Sequence, residues 1–347
     1  MKLTFRWYGE TDSIPLDYIR QIPNMSGVVS SCYEVKVGEV WPIESLKKQK
    51  QLCEDKGLKF EVIESIPVHE DIKLGKPTRD KYIANYIENI RRVASIGVKV
   101  ICYNFMPVFD WTRTNLHYQN ADGSESLSFS FDDFKKLDPK NLHLPGWDES
   151  YTKEELNSLL DEYKNISHEQ LFDNLVYFLN KIIPVCDELD VKMAIHPDDP
   201  PMDIFSLPRI ISTEEDLDRL FEAVKSTNNG LTFCTGSLGA RKDNDLVKMA
   251  DKYSRANRIH FVHLRNICYT DNSFYESGHY SKTGSLPMNK IVQVLVKNHF
   301  DGYVRPDHGR NIFGENKKPG YGLFDRALGC AYINGLFEAY QDDLEDK

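Results

Sequence analysis

The sequence predicts an α/β protein built as a TIM (β/α)8 barrel. Its 347 residues alternate eight short runs of β-branched and aromatic residues with longer amphipathic stretches, which is the element count of such a barrel. The rival doubly wound sheet would require a glycine-rich phosphate-binding turn after an early strand, and neither a GxGxxG nor a Walker A pattern occurs. We therefore expect one barrel domain that spans residues 1–347.

The predicted strands are short, and the fourth is almost continuously apolar, as a strand covered on both faces should be. The eight strands comprise residues 3–8, 27–31, 59–63, 98–104, 191–196, 230–234, 259–265 and 303–307. A helix is expected after each strand, and the clearest of these helices comprise residues 78–96, 168–189, 213–226 and 322–340.

Proline and glycine mark the ends of several predicted helices. Helices are expected to begin after Pro15, at Pro42 and near Pro287, because proline is tolerated in the first helical turn. The helix that starts at Pro42 is expected to end at Gly57, and the one before the fourth strand ends at Gly97.

One interval, residues 105–167 after the fourth strand, is too long for an ordinary connection. It is rich in Asp, Ser, Asn and Pro, but it also carries many aromatic residues, which a solvated linker would lack. These are Trp111, Phe129, Phe131, Phe134 and Trp147. We expect an insertion that lies over the barrel mouth; a segment exchanged between subunits is the alternative, and either favours a homodimer.

Composition narrows the class of protein. The chain has 43 Lys and Arg against 53 Asp and Glu, a net charge of −10, which argues against a nucleic-acid binder. No stretch approaches the length of a membrane-spanning helix, and the N-terminus lacks the apolar segment of a signal peptide. The seven cysteines form no CxxC pair and no even disulfide framework, so we expect reduced thiols in the cytoplasm.

The last four predicted strands end in residue types that bind transition metals. These residues are His196, Cys234, His263 and Asp307. Because a barrel brings the carboxyl ends of its strands to one mouth, the four side chains are expected to meet there. Two imidazoles, a thiolate and a carboxylate suit Mn²⁺, Fe²⁺, Co²⁺ or Zn²⁺, and a substrate needs open positions, which favours an ion with five or six ligands.

Other candidate residues surround this mouth. His308 follows Asp307 directly, and Tyr321 lies in a glycine-bracketed turn, so both could transfer protons. Arginines in an acidic protein indicate a small anionic substrate, although each could instead form a structural salt bridge. The candidate substrate-binding residues are Trp111, Arg113, Arg265 and Arg310.

At these positions the sequence resembles the D-mannonate dehydratase family of bacterial sugar-acid catabolism. The resemblance covers essentially the whole chain and rests on MPVFDWTRT at 106–114, AIHPDDPP at 194–201, FCTGS at 233–237 and RPDHG at 305–309. It implies a xylose-isomerase-like barrel with one divalent metal per chain, usually Mn²⁺ and alternatively Fe²⁺. The family's metal ligands fall on His196, Cys234, His263 and Asp307, and its proton-transfer residues on His308 and Tyr321.

The resemblance implies a hydro-lyase that converts D-mannonate to 2-keto-3-deoxy-D-gluconate and water in hexuronate (glucuronate) breakdown. The C2 proton must be removed and the C3 hydroxyl protonated, and the sequence does not say which of His308 and Tyr321 performs which step. A metal-dependent sugar isomerase or epimerase on the same barrel is the main alternative. A non-catalytic barrel that binds a sugar acid is the second.

Overall fold

A computed structural model describes residues 1–137 and 152–345 of the chain. The strands β1 to β12 are Lys2–Arg6, Met25–Ser30, Lys59–Glu64, Val100–Tyr103, Asn115–Gln119, Glu125–Ser130, Lys192–Ile195, Asn229–Cys234, Ile259–His263, Asn266–Tyr269, Ser273–Ser277 and Tyr303–Arg305. The helices α1 to α12 are Leu16–Ile19, Ile43–Glu54, Glu70–Lys73, Arg79–Ser95, Phe131–Phe134, Lys153–Tyr163, His168–Leu189, Glu214–Ala223, Thr235–Gly239, Leu246–Arg255, Met288–Lys297 and Leu323–Glu345.

Eight strands close into a parallel barrel, which confirms the predicted fold class. Around the barrel the order is β1, β12, β9, β8, β7, β4, β3 and β2. Each predicted strand coincides with one of these, with ends that differ by at most two residues. At the last strand, β12 stops at Arg305 because Pro306 has no N–H to donate and Asp307 adopts a left-handed φ of 62°.

The barrel strands are buried on both faces, by the surrounding helices on the outside and by the strands' own side chains on the inside. Every residue of β4 and of β8 is buried, as the apolar run in the sequence predicts. The helix α7 begins where the sequence predicts, because Ser167 accepts a hydrogen bond from the Gln170 N–H in a capping box, and it ends as predicted before Asp190, which has a left-handed φ of 51°. None of the described helices combines the length and the apolar character that a membrane crossing requires.

A second, smaller sheet is made from two hairpins. The hairpin of β5 and β6 comes from the long interval after β4, and the hairpin of β10 and β11 follows β9. They join through antiparallel pairing of β6 with β11, and the Phe129 and Phe274 rings stack across the pair, 5.8 Å apart. Neither hairpin was predicted, and residues 266–277 show no clear alternation of apolar and polar residues.

The remaining described part of the 105–167 interval contains α5 and α6. Residues 138–151, and with them the predicted Trp147, lie outside the described residues. That the whole interval forms an insertion over the mouth of a single domain therefore stays a prediction.

Candidate active site

A cavity of about 220 Å³ opens at the carboxyl ends of the barrel strands. This is the end at which barrel enzymes carry their active sites. Its lining includes Arg6, Tyr8, Glu64, Trp111, His196, Arg305, Asp307, His308, Lys318 and Tyr321.

Three of the predicted metal ligands converge beside this cavity. Cys234 ends β8 and pairs in register with His263, the last residue of β9. His196 follows β7, where its backbone N–H donates to the Tyr103 carbonyl at 2.6 Å. The ligand atoms of His196, Cys234 and His263 all lie within 4.8 Å of one another.

The hydrogen bonds of these three side chains suit a metal site. His196 Nδ1 lies 2.7 Å from the Pro197 carbonyl and must donate to it, so Nε2 is the nitrogen that could bind a metal. The buried Nδ1 of His263 has no hydrogen-bond partner among the described residues. Burial opposes ionisation of Cys234, but the Arg265 guanidinium outweighs it and holds the pKa of this thiol well below its ordinary value.

Asp307 completes the predicted set at the end of β12. Its Oδ2 lies 3.6 Å from the Cys234 sulfur, and its Oδ1 lies 3.9 Å from His263 Nδ1. The left-handed backbone at Asp307 turns the chain here, so that His308 also faces the cavity. Burial would raise the pKa of Asp307, but Arg305, 2.8 Å away, holds it well below its usual range.

A second group of possible ligands, Glu64, Cys102 and His263, is also compact but suits a cation poorly. Arg305 donates to Glu64 Oε1 at 2.7 Å, and its Nε lies 3.0 Å from His263 Nε2, so a guanidinium cation already lies on this side of His263. Burial raises the pKa of Cys102 well above its ordinary value, which keeps this thiol protonated. The donor set of His196, Cys234, His263 and Asp307 is therefore the better metal site.

His308 and Tyr321 are hydrogen-bonded to each other. His308 Nε2 lies 2.9 Å from the Tyr321 hydroxyl, and His308 Nδ1 lies 2.8 Å from Glu276 Oε1. Burial would raise the pKa of Glu276, but His308 and Arg265 together lower it, so Glu276 is an ionised acceptor. An ionised carboxylate at Nδ1 places the imidazole proton there and leaves Nε2 as a potential base.

Tyr321 is held as a proton donor. Burial raises the pKa of its hydroxyl to about 12, so the phenol is protonated at neutral pH. Gly320 has a φ of +80°, and the Gly309 N–H donates to its carbonyl, which places the tyrosine beside His308.

Two of the predicted substrate-binding arginines are engaged with carboxylates. Arg113 contacts Asp199 at 2.8 Å and Glu276 at 3.0 Å, and Arg265 contacts the same two carboxylates at 2.7 and 2.6 Å. A side chain at Gly236 would collide with Arg265, so the glycine of the FCTGS motif leaves the space that the Arg265 side chain occupies. Neither arginine is among the described residues that line the cavity, so their expected contact with substrate stays a prediction that this pairing with carboxylates does not favour.

Of the other two predicted substrate-binding residues, Arg310 and Trp111, only Trp111 lines the cavity. Arg310 pairs with Asp325 and Asp122, each at 2.8 Å, and faces a different surface depression, so the structure does not bring it to the cavity. Trp111 does line the cavity, with its ring 5.7 Å from that of His308 in an edge-to-face arrangement.

Several site residues escaped the sequence reasoning. Arg6 and Glu64 end β1 and β3, so reading the ends of the first strands as closely as the last four would have found them. Arg305 ends β12, two residues before Asp307. No comparable indication in the sequence pointed to Glu276, because it lies in β11, outside the predicted barrel strands.

Known proteins resemble this chain over its whole length. The family model described as D-mannonate dehydratase (UxuA) matches residues 1–347. The mannonate dehydratase of Thermotoga petrophila is 52% identical over 352 residues, which cover 98% of this chain and 98% of that protein. The crystal structure of mannonate dehydratase from Streptococcus suis serotype2 superposes with a TM-score of 0.94 at 47% identity, over 99% of this chain and 96% of that one.

More distant structures share only the fold. A D-psicose 3-epimerase superposes with a TM-score of 0.56 at 12% identity, over 97% of this chain and 99% of that one. Such a likeness confirms the xylose-isomerase-like barrel, but it carries no argument for epimerase activity.

Proposed function

The chain belongs to the D-mannonate dehydratase family and is a hydro-lyase that dehydrates D-mannonate, and from that premise we propose which of its residues perform the reaction. The observation that carries the proposal is the hydrogen-bonded series Glu276–His308–Tyr321, which lies beside the four candidate metal ligands. We propose that the product of this dehydration is 2-keto-3-deoxy-D-gluconate and that the enzyme serves hexuronate breakdown.

We propose that His196, Cys234, His263 and Asp307 hold one divalent ion per chain, Mn²⁺ or alternatively Fe²⁺. The mixed nitrogen, sulfur and oxygen donors and the unpartnered His263 Nδ1 support this assignment. When bound, the ion supplies a Lewis acid that stabilises negative charge on the substrate. Arg265 and Arg305 contact Asp307 at 2.9 and 2.8 Å and so fix the direction of its carboxylate.

We assign His308 as the base and Tyr321 as the acid. Nε2 of His308 takes the proton from C2, and the Tyr321 hydroxyl gives its proton to the C3 hydroxyl, which leaves as water. The C–H electron pair forms the C2–C3 double bond, and the resulting enol becomes the 2-keto acid. The protonated phenol supports this assignment, because at neutral pH only the imidazole is free to accept.

The direct hydrogen bond between the two groups regenerates them. After the reaction His308 carries the extra proton and Tyr321 is a phenolate. Because Nε2 and the phenol oxygen lie 2.9 Å apart, the proton passes straight from the imidazolium to the phenolate. The net result is transfer of the C2 proton to the departing hydroxyl.

Compartment and assembly are further proposals. All seven cysteines are free thiols, which supports a cytoplasmic enzyme. A homodimer is supported by the exposed apolar side chains of Phe313, Phe324 and Leu328. Light scattering should then give twice the chain mass of 40.1 kDa, and a monomer would contradict the proposed dimer.

The test is metal removal and rescue. The protein is stripped with a chelator, given Mn²⁺, Fe²⁺, Mg²⁺ or no metal, and assayed for 2-keto acid from D-mannonate and two epimeric aldonates. Keto acid that forms from D-mannonate only when Mn²⁺ or Fe²⁺ is restored is the expected result. Full turnover in the stripped protein would overturn the metal assignment.

A further inference from the structure

The positive charges that line the cavity are not equally neutralised. Arg6 contacts Glu64 at 3.3 Å, and Arg305 contacts Glu64 and Asp307 at 2.7 and 2.8 Å. Lys318 also lines the cavity, but no carboxylate of the described residues lies within ion-pair distance of its ammonium. Lys318 is therefore a cation of the site that has no anionic partner in the described chain.

Aromatic rings hold the Lys318 ammonium close to the reacting groups. Its Nζ lies 3.9 Å from the centre of the Tyr8 ring and 5.5 Å from that of Tyr321, the proposed acid. The side chain projects from the same loop that carries Tyr321, three residues earlier. These two rings limit the positions that the Lys318 ammonium can take, but they do not neutralise its charge.

A second cation lies near the first. The Arg6 guanidinium is 5.1 Å from the centre of the same Tyr8 ring. The Lys318 side chain is exposed at the mouth of the cavity, but desolvation of its ammonium and then repulsion from Arg6 lower its pKa, against the weaker attraction of Asp12 and Asp110. Two cations lie on one ring, and only Arg6 contacts a carboxylate, so an additional anion would be stabilised here.

We propose that Lys318 binds the carboxylate of the substrate and so selects an aldonate over an uncharged polyol. The role expected of Arg113 and Arg265 passes to Lys318, because those arginines are already paired with Asp199 and Glu276. A lysine suits the task, since its ammonium is a compact charge on a flexible stem that can follow a bound carboxylate. This inference rests on the proposed dehydration of D-mannonate.

The test compares two ligands that differ at one carbon. D-Mannitol has the hydroxyls of D-mannonate but a hydroxymethyl group in place of the carboxylate. In Lys318→Met, the KM for D-mannonate should rise about 10- to 100-fold, the range for losing one charge-assisted hydrogen bond. The inhibition constant of D-mannitol should stay within about twofold of the wild-type value, because no hydroxyl contact is lost.

Two further variants serve as controls. Lys318→Arg keeps the charge and should recover most of the affinity for D-mannonate. Lys317→Met removes the adjacent, half-buried lysine, whose Nζ lies 3.4 Å from the Ser13 carbonyl and which does not line the cavity, and should leave both constants unchanged. Metal content and the thermal midpoint of each variant verify that the fold is intact.

The outcomes separate the inference from the function on which it rests. An equal loss of D-mannonate and D-mannitol binding in Lys318→Met would mean that Lys318 holds hydroxyls, which overturns the proposal. Unchanged binding of both ligands would also overturn it. A wild-type protein that releases no keto acid from D-mannonate would instead refute the proposed function.

Discussion

At the scale of single residues, a carboxylate from outside the barrel determines how His308 can act. Glu276 accepts a hydrogen bond from Nδ1, so the opposite nitrogen faces Tyr321 with its lone pair. Arg113 and Arg265 contact the same carboxylate and keep it ionised. Glu276 is thus a positioning residue, since it acts on the substrate only through His308.

Replacing this carboxylate with an amide tests that role. Glu276→Gln keeps the size of the side chain, but its amide can donate to Nδ1 and so stabilise the wrong imidazole tautomer. We expect kcat to fall by roughly 10²-fold or more with little change in KM. Steady-state kinetics measure both constants.

A matched control comes from an exposed pair of the same kind. Glu125 contacts His117 Nδ1 at 3.0 Å on the surface of the small sheet, so Glu125→Gln should leave kcat unchanged. A Glu276→Gln enzyme with wild-type kcat would show that the tautomer does not depend on this carboxylate.

Removing either proposed proton-transfer group should abolish most turnover without loss of metal. His308→Asn and Tyr321→Phe are each expected to lower kcat by roughly 10²–10⁴-fold, the usual contribution of a positioned acid or base. Metal content per chain should stay at the wild-type level, because neither residue belongs to the proposed ligand set. Elemental analysis and the keto-acid assay measure the two quantities.

The hydroxyl of Tyr332 provides the comparison for the tyrosine variant. Tyr332 lies on α12 and does not line the cavity, and its hydroxyl lies 3.0 Å from the Ser281 hydroxyl. Tyr332→Phe should therefore retain full turnover. Full activity in Tyr321→Phe as well would remove that residue from the mechanism.

At the scale of elements, buried ion pairs attach the small sheet to the barrel. Arg113 precedes β5, Asp199 follows β7, Arg265 follows β9 and Glu276 lies in β11, and all four side chains are buried. Each guanidinium contacts both carboxylates, so no charge of the group is left unpaired. Loss of one member would leave its partners with uncompensated charge in a buried site.

Asp199→Asn should therefore destabilise the fold and alter its response to acid. Breaking a buried pair costs about 3–5 kcal/mol at neutral pH. Burial would raise the pKa of Asp199, but Arg113 and Arg265 hold it well below its ordinary value, so the stabilisation is present above pH about 4 and is lost as the pH falls. In the variant, the free energy of unfolding should depend less steeply on pH below about 5.

Urea unfolding of both proteins, from neutral pH down to about pH 3, measures this slope. The exposed Asp133, which pairs with Lys136 at 2.9 Å, supplies the control, and Asp133→Asn should leave the free energy of unfolding nearly unchanged at every pH. Parallel pH curves for wild type and Asp199→Asn would contradict the assignment.

At the scale of the whole molecule, the proposed metal would join strands that are distant in the sequence. The proposed ligands lie at the carboxyl ends of four neighbouring barrel strands, β7, β8, β9 and β12, in the order His196, Cys234, His263 and Asp307. An ion that binds only the folded chain stabilises it in proportion to the logarithm of its concentration over Kd.

Chelation should therefore lower the thermal midpoint by several degrees, and added Mn²⁺ should restore it. A concentration of 100 Kd corresponds to about 2.7 kcal/mol. Cys234→Ser should lose this response, whereas Cys268→Ser, on β10 outside the cavity, should retain it. Differential scanning calorimetry measures the shift, and a response that survives in Cys234→Ser would remove the thiolate from the ligand set.

The sequence by itself determined the barrel, its strands and the residues at the ends of the last four strands. These features are local: apolar runs specify buried strands, and a parallel barrel collects their carboxyl ends at one mouth. For this reason the sequence alone predicts the four candidate metal ligands, His196, Cys234, His263 and Asp307. His308 and Tyr321 could be named because short motifs place them beside that mouth.

Only the tertiary structure decided how the surrounding charges are paired. Whether an arginine binds a substrate or a carboxylate depends on contacts between residues far apart in the chain, such as Arg113 with Asp199 and Glu276. No local sequence pattern predicts that Arg113 pairs with carboxylates 86 and 163 positions away in the chain. The same holds for Lys318, whose lack of a carboxylate partner becomes visible only when its neighbours in space are known.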